Sequence, residues 1–229
     1  CSSDLGGISI KEVFSDIIVE APLGSRTKLT LPDGTLVWLN AGSRITYSQG
    51  FGVGNRKIEL IGEGYFEVKR NEEVPFLVKT NSLLVKVLGT KFNFRDYPDD
   101  AEAIVSLSEG KVALNNLLKK EKEAFLLPNE RVVLNKKNGR MHVEYSTVSN
   151  ALQWTNGYLF FDEELLPDVV KELERSYNVK IQIASDTLNT FRFYGNFVHR
   201  EQNIQEVLEA LSATRKIHYI IEGHNITLY

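Results

Sequence analysis

A chain of 229 residues, 42% hydrophobic and 25% charged, is long enough for one large or two small domains and too apolar for a disordered chain. Its net charge of −3 argues against a general nucleic-acid binder, which needs a basic face. The single cysteine, Cys1, excludes an intramolecular disulfide, and no apolar run reaches the roughly 18 residues of a membrane span. No signal-peptide pattern is read in these residues, and a chain that opens on Cys reads as a processed or truncated product. Cys1 is then either the boundary left by a removed segment or a lipidated N-terminal cysteine.

Residues 1–19 are weakly patterned and read as an N-terminal tether, with a first strand within 8–19 as the other reading. From Glu20 the pattern turns to β. Leucines alternate with polar residues in Thr27–Leu31, Pro32-Asp33-Gly34-Thr35 supplies a turn, and Leu36–Leu39 returns, which predicts a hairpin. Further strands are expected at Lys57–Ile61, Gly64–Lys69, Phe76–Lys79, Leu83–Leu88, Lys91–Tyr97, Ile104–Leu107, Lys111–Leu114, Phe125–Leu127, Arg131–Leu134 and Met141–Tyr145. Short strands at this spacing, with no convincing helix, predict an all-β domain over residues 20–145. The frequent glycine-bounded corners favour a β-solenoid-like stack, with a jelly-roll sandwich as the alternative. Residues 146–156 read as a linker, in which Trp154 is expected to pack the two domains together.

The last part, residues 157–229, contains a duplication. With an offset of 38 residues, Gly157 falls on Gly195, Leu159 on Phe197, Leu166 on Ile204, Val169 on Val207, Val170 on Leu208 and Leu173 on Leu211. Val179, Ile181 and Ile183 then fall on Ile217, Tyr219 and Ile221. The matched positions change together from a period of 3–4 to a period of 2, so a helix followed by a strand is written twice. A small duplicated βαβ domain follows, making the chain mainly β plus α+β. Its first helix starts near Leu165, with Pro167 in the first turn, and ends near Tyr177-Asn178. Asn203 and Glu206 form a capping-box pattern on the second. Ile217–Ile221 and Ile226–Tyr229 are expected as a last hairpin.

No catalytic, cofactor or metal motif stands out. His142, His199, His218 and His224 lack metal-ligand spacing. Gly50–Gly54 lacks the following helix and the Lys-Ser/Thr pair of a phosphate loop. The acids at Asp99, Asp100 and Glu102, and at Asp162–Glu164, read as solvated loops, and the chain is not expected to be an enzyme. A catalytic reading would need converging acids such as Glu63 and Glu67, which share a strand face. A glycan- or ligand-binding β domain would need a groove of exposed aromatics such as Trp38, Tyr47, Phe51 and Tyr65, although their strand phase favours a core. Arg26, Arg44, Arg56 and Lys57 form either a basic strip or ordinary strand-edge charge.

Several stretches resemble one family. Ala21–Arg44, with Leu29-Thr30-Leu31-Pro32-Asp33-Gly34-Thr35 and Trp38-Leu39-Asn40-Ala41-Gly42-Ser43 within it, is similar to the opening of FecR-like anti-sigma regulators. So are Leu60–Val68, Val87–Asn93 and Ser108–Val112, and Trp154-Thr155-Asn156-Gly157 resembles the domain junction of Bacteroidetes members. The duplicated unit resembles the short signalling domain shared by secretins and TonB-dependent receptors. The resemblance implies the periplasmic receiver of a single-pass inner-membrane protein. It would bind the N-terminal signalling domain of a TonB-dependent outer-membrane transporter and relay the signal to an extracytoplasmic-function sigma factor. The family's cytoplasmic sigma-binding segment and transmembrane helix have no counterpart in these residues. Docking of a folded partner points to exposed strand edges, at Phe191–Phe197 or Ile226–Tyr229. Tyr194, Phe191, Ile226 and Tyr229 are the candidate partner-binding residues there, Tyr194 having the phase of a surface residue.

Overall fold

The computed structural model describes residues 15–146 and 151–229. Cys1 and most of the expected tether therefore lie outside the described residues, as does the middle of the linker. Thirteen strands come first: β1 (Asp16–Ala21), β2 (Thr27–Thr30), β3 (Leu36–Leu39), β4 (Ser43–Ser48), β5 (Arg56–Glu67), β6 (Phe76–Lys79), β7 (Leu83–Val87), β8 (Lys91–Asp96), β9 (Glu102–Glu109), β10 (Val112–Asn116), β11 (Ala124–Leu126), β12 (Glu130–Asn135) and β13 (Met141–Tyr145). They belong to one continuous sheet, in which only β5 and β6 pair in parallel.

Strand β5 joins the two halves of that sheet. Its first half pairs with β4 and β6, and its second half, from Gly62, pairs with β3 and β8. Gly62 has φ 99°, and a Cβ there would lie 2.4 Å from Ser43 Oγ, so the strand bends where only glycine fits. The halves β1-β4-β5-β6-β7-β10-β11 and β2-β3-β5-β8-β9-β12-β13 thus fold onto one core in a near-barrel. Ile58, Val78, Val85 and Leu114 from one half meet Phe66, Phe92, Phe94 and Val132 from the other. The mainly β class holds. Coils of a solenoid would stack in parallel, and the antiparallel ladder is instead that of a two-layer sheet.

The Thr27–Leu31 hairpin forms as expected, with Leu29 opposite Val37. One strand was not anticipated, and another replaces the tether with the alternative reading of a first strand. β4 is dominated by polar side chains, and Ile45 and Tyr47 alone mark its inner face. β1 starts inside the stretch assigned as a tether and pairs along β4 from Asp16 to Ala21. The all-β unit therefore begins by Asp16 rather than at Glu20.

The second unit contains β14 (Tyr158–Leu165), α1 (Leu166–Tyr177), β15 (Lys180–Ile183), β16 (Arg192–Val198), α2 (Ile204–Ser212), β17 (Tyr219–Glu222) and β18 (Asn225–Leu228). The two repeats meet through their first strands, since β14 pairs antiparallel with β16. The strands after the helices flank β18, with β15 parallel and β17 antiparallel to it. The matched helical residues Val169, Val207, Val170, Leu208, Leu173 and Leu211 are all buried in one core. Asn178 closes α1 in the left-handed conformation at φ 52°, and Asn203 with Glu206 forms both hydrogen bonds of a capping box on α2. The repeats diverge at the second strand: Ile217 is buried ahead of β17, and Ile221 is exposed. Among the described residues no helix is long and apolar enough to cross a membrane.

Candidate functional site

Helix α1 is buried on two faces. Leu166, Val169, Val170 and Leu173 turn into their own unit. Glu172, Arg175 and Ser176, spaced i, i+3 and i+4, form a second stripe that lies against the β unit. The surface they meet is the outer face of the second half-sheet. There the register sets Glu63 opposite Arg95, Tyr65 opposite Asn93, and Trp38 opposite Tyr65. Phe66, Phe92 and Phe94, in the other phase, fill the core beneath.

The two faces are held by a connected polar cluster. Arg95 Nη1 lies 3.0 Å from Glu172 Oε2, and Arg95 Nε donates to Asp100 Oδ2 at 2.8 Å. Arg175 Nη1 reaches Asp100 Oδ1 at 3.1 Å, and its guanidinium lies 3.9 Å above the Tyr97 ring. Glu63 accepts from Asn40 Nδ2 at 2.9 Å and Asn93 Nδ2 at 2.8 Å. Trp154 Nε1 donates to Asn93 Oδ1 at 3.1 Å. The backbone adds a tie, Gly24 N–H to the Arg175 carbonyl at 2.8 Å. Glu63 is 4% exposed, Glu172 8% and Arg175 6%, charges that survive burial because they are paired, and the neutral Asn93, 3% exposed, is hydrogen-bonded through both ends of its amide.

The carboxylates are pushed in opposite directions. Burial raises the Glu63 carboxyl against the pull of Arg95, with Glu172 adding repulsion, and it ends above its usual range. Burial also acts to raise Glu172, but the guanidinium groups of Arg95 and Arg175 prevail and hold it below that range. Asp100 follows Glu172: burial opposes ionisation and the two arginines overcome it. The same clamp borders a cleft of about 660 Å³ whose rim carries Glu102, Asp162, Glu164 and Asp168 against Arg131. Burial raises the Glu164 carboxyl above its usual value there, despite Arg95.

The residues singled out from sequence fall in different places. Trp154 is 7% exposed and sits at the junction. Tyr194 is exposed on β16, which among the described residues pairs only with β14 and so keeps a free edge. Phe191 is half-buried, packed on the core beneath Lys216, whose Nζ is 5.6 Å from its ring centre. The terminal strand does not have the edge expected of it. β18 is the middle strand of its sheet, Ile226 is buried, and Tyr229 exchanges backbone hydrogen bonds with His218. Only the Tyr229 side chain remains at the surface, half exposed.

The strand phase of the aromatics is matched by their burial, and the alternative readings find no support in the arrangement. Tyr47, Phe51 and Tyr65 are buried, so they line no glycan groove, and Trp38 alone of that set is half-exposed. Glu63 and Glu67 are engaged separately: Glu67 Oε1 accepts from the Tyr65 hydroxyl at 3.2 Å, whereas Glu63 accepts from Asn40 and Asn93. The basic strip does not form. Arg56 is buried, with its guanidinium donating to the carbonyls of Val74, Lys69 and Asn71 and paired with Asp33 at 3.2 Å, whereas Arg44 pairs at the surface with Glu20.

The clamp itself was not read from sequence. Its members sit in charged positions that look solvated one by one. The usable signals were Glu63 inside an otherwise apolar run and the second stripe on α1.

Two family models match the chain. The one described as FecR protein covers residues 18–113, and the one described as FecR, C-terminal covers residues 158–228. Two crystal structures of a candidate anti-sigma factor from Parabacteroides distasonis ATCC 8503, at 1.65 Å and 2.50 Å, superpose with a TM-score of 0.85 each, at 33% identity. They cover 93% and 94% of this chain and 98% and 99% of their own. No curated protein matches.

Proposed function

Since the chain belongs to the FecR-like anti-sigma factors, a family of sigma regulators, we propose that it is the periplasmic receiver of such a regulator. In this reading the second unit binds the N-terminal signalling domain of a TonB-dependent outer-membrane transporter. The signal passes through the junction to a membrane-anchored segment that holds an extracytoplasmic-function sigma factor. The observation that supports it best is the two-stranded β14–β16 sheet, whose β16 has, among the described residues, an unpaired edge bearing the exposed Tyr194. A partner strand can extend such an edge through backbone hydrogen bonds, with side chains setting specificity. The clamp makes the receiver capable of relay, because α1 belongs to the docking unit through one face and to the β unit through the other.

The test is a titration of the chain with the purified signalling domain of the transporter encoded beside it. Saturable binding is expected, weakened roughly tenfold or more by Tyr194→Asp, which leaves the cores untouched. Absence of binding, or equal affinity of the variant, would overturn the reading.

A further inference from the structure

A second cleft, of about 400 Å³, lies where the β2–β3 hairpin, the junction turn and the start of the second repeat converge. Its charge is one-sided. The lining includes Arg26, Lys28, His199 and Arg200, and contains no carboxylate, in a chain whose net charge is −3. Among the described residues, Arg26, Lys28 and Arg200 form no ion pair. Arg26 spends its Nε on Asn40 Oδ1 at 3.0 Å and its Nη2 is enclosed by protein, whereas its Nη1, which would lie 4.0 Å from a Cβ on the cleft-lining Gly157, makes no hydrogen bond among the described residues. Burial pushes this guanidinium below its usual value, and Glu172 and Glu63 only partly compensate. Lys28 is held at the cleft wall with its Nζ 4.5 Å from the centre of the Trp38 ring. Positive groups gathered without a carboxylate favour an anion, and the planar fork of arginine matches a carboxylate or a phosphate.

We propose that this cleft binds a small organic molecule carrying an oxyanion, a carboxylate or a phosphate, held by Arg26, Lys28 and Arg200 beside Trp38. The inference does not depend on transporter binding. The volume suits a small ligand rather than a protein segment of several residues. A bound oxyanion would also touch the clamp, because Arg26 is linked through Asn40 to Glu63.

Calorimetric titration of the whole chain, in a low-salt buffer free of oxyanions, tests this with three probes: inorganic phosphate, pyrophosphate and glutarate, with erythritol as the neutral control. Saturable binding of one class is expected, and the class that binds tells phosphate from carboxylate. Added sodium chloride should weaken it. Arg200→Gln and Lys28→Gln alter exposed side chains outside the clamp and should each weaken binding roughly tenfold. Arg26→Gln, which keeps a donor for Asn40, should abolish it. Should Arg26→Gln fail to fold, the other two variants decide. Flat titrations into the millimolar range with all three probes, or unchanged affinity in Arg200→Gln and Lys28→Gln, would overturn the proposal.

Discussion

Arg95 on β8 and Glu172 on α1, 77 residues apart in sequence, meet at 3.0 Å across the boundary between the two units. The contact is not isolated, since Arg95 also holds Asp100, and Glu172 lies 3.5 Å from Arg175 Nη2. Removing one partner of a buried pair strands the other. Glu172→Gln should therefore cost about 3 kcal/mol in unfolding free energy. A double-mutant cycle with Arg95→Met measures the coupling, and strict additivity would mean that the pair contributes no interaction energy.

The directions of the carboxyl shifts set a pH dependence. Glu172 and Asp100 lie below their usual values in the folded chain. Each contributes stability that is complete above the unfolded carboxyl range, about pH 4, and is lost as pH falls through the lowered folded values. Glu63 is raised, so its contribution has the opposite sign: it is complete below that range and lost as pH rises through the raised value. Urea midpoints should thus fall on acidification below about pH 4. The fall should be shallower in Glu172→Gln, which has lost one of the two favourable contributions. Superimposable pH profiles for the two proteins would contradict this assignment.

Trp154 offers a more local test. Phenylalanine keeps most of the buried ring but cannot donate to Asn93, leaving a buried Asn93 Oδ1 without its partner. Trp154→Phe should destabilise by about 1–3 kcal/mol. The loss should be smaller in an Asn93→Ala background, where no acceptor is stranded. A loss of equal size in both backgrounds would show that ring volume, and not the hydrogen bond, is what matters.

What the sequence makes legible is what is encoded locally. Pro32-Asp33-Gly34-Thr35 closes its hairpin through its own backbone preferences, and the Asp33 carboxylate accepts from the Thr35 N–H at 2.9 Å. The Asn203–Glu206 cap and the left-handed Asn178 are equally local, and the 38-residue duplication is visible because matched side chains share one core. Pairing between distant segments is another matter. β5 reads as two strands because Gly62 looks like a break, when it is a bend within one strand. β4 carries little apolar signal because Ser43 faces the polar cluster, where it accepts from the Glu63 N–H at 2.8 Å. The placement of β18 in mid-sheet depends on β15 arriving in parallel beside it, which nothing within Ile226–Tyr229 records. Glu63, Asn93, Arg95 and Glu172 become a site only when α1 lands on the sheet.

The duplication also sets two glycines in matched positions that are glycine for different reasons. Gly157 has φ 91°, and its nearest neighbour to an added Cβ is Arg26 Nη1 at 4.0 Å. There the constraint is backbone conformation. Gly195 lies within β16 between Phe193 and Phe197, whose rings are parallel within 2° at 6.1 Å. A Cβ on Gly195 would lie 2.5 Å from Phe193 Cε1 and 2.9 Å from Phe197 Cε2, so there the constraint is space. Gly157→Ala should cost about 1 kcal/mol through strain that no neighbouring substitution relieves. Gly195→Ala should cost about 1–3 kcal/mol through overpacking. Phe193→Leu, by removing the ring that blocks the methyl group, should recover part of the second loss and none of the first. Urea denaturation of the three single variants and the two double variants measures this, and equal recovery at both glycines would show that the two positions share one constraint after all.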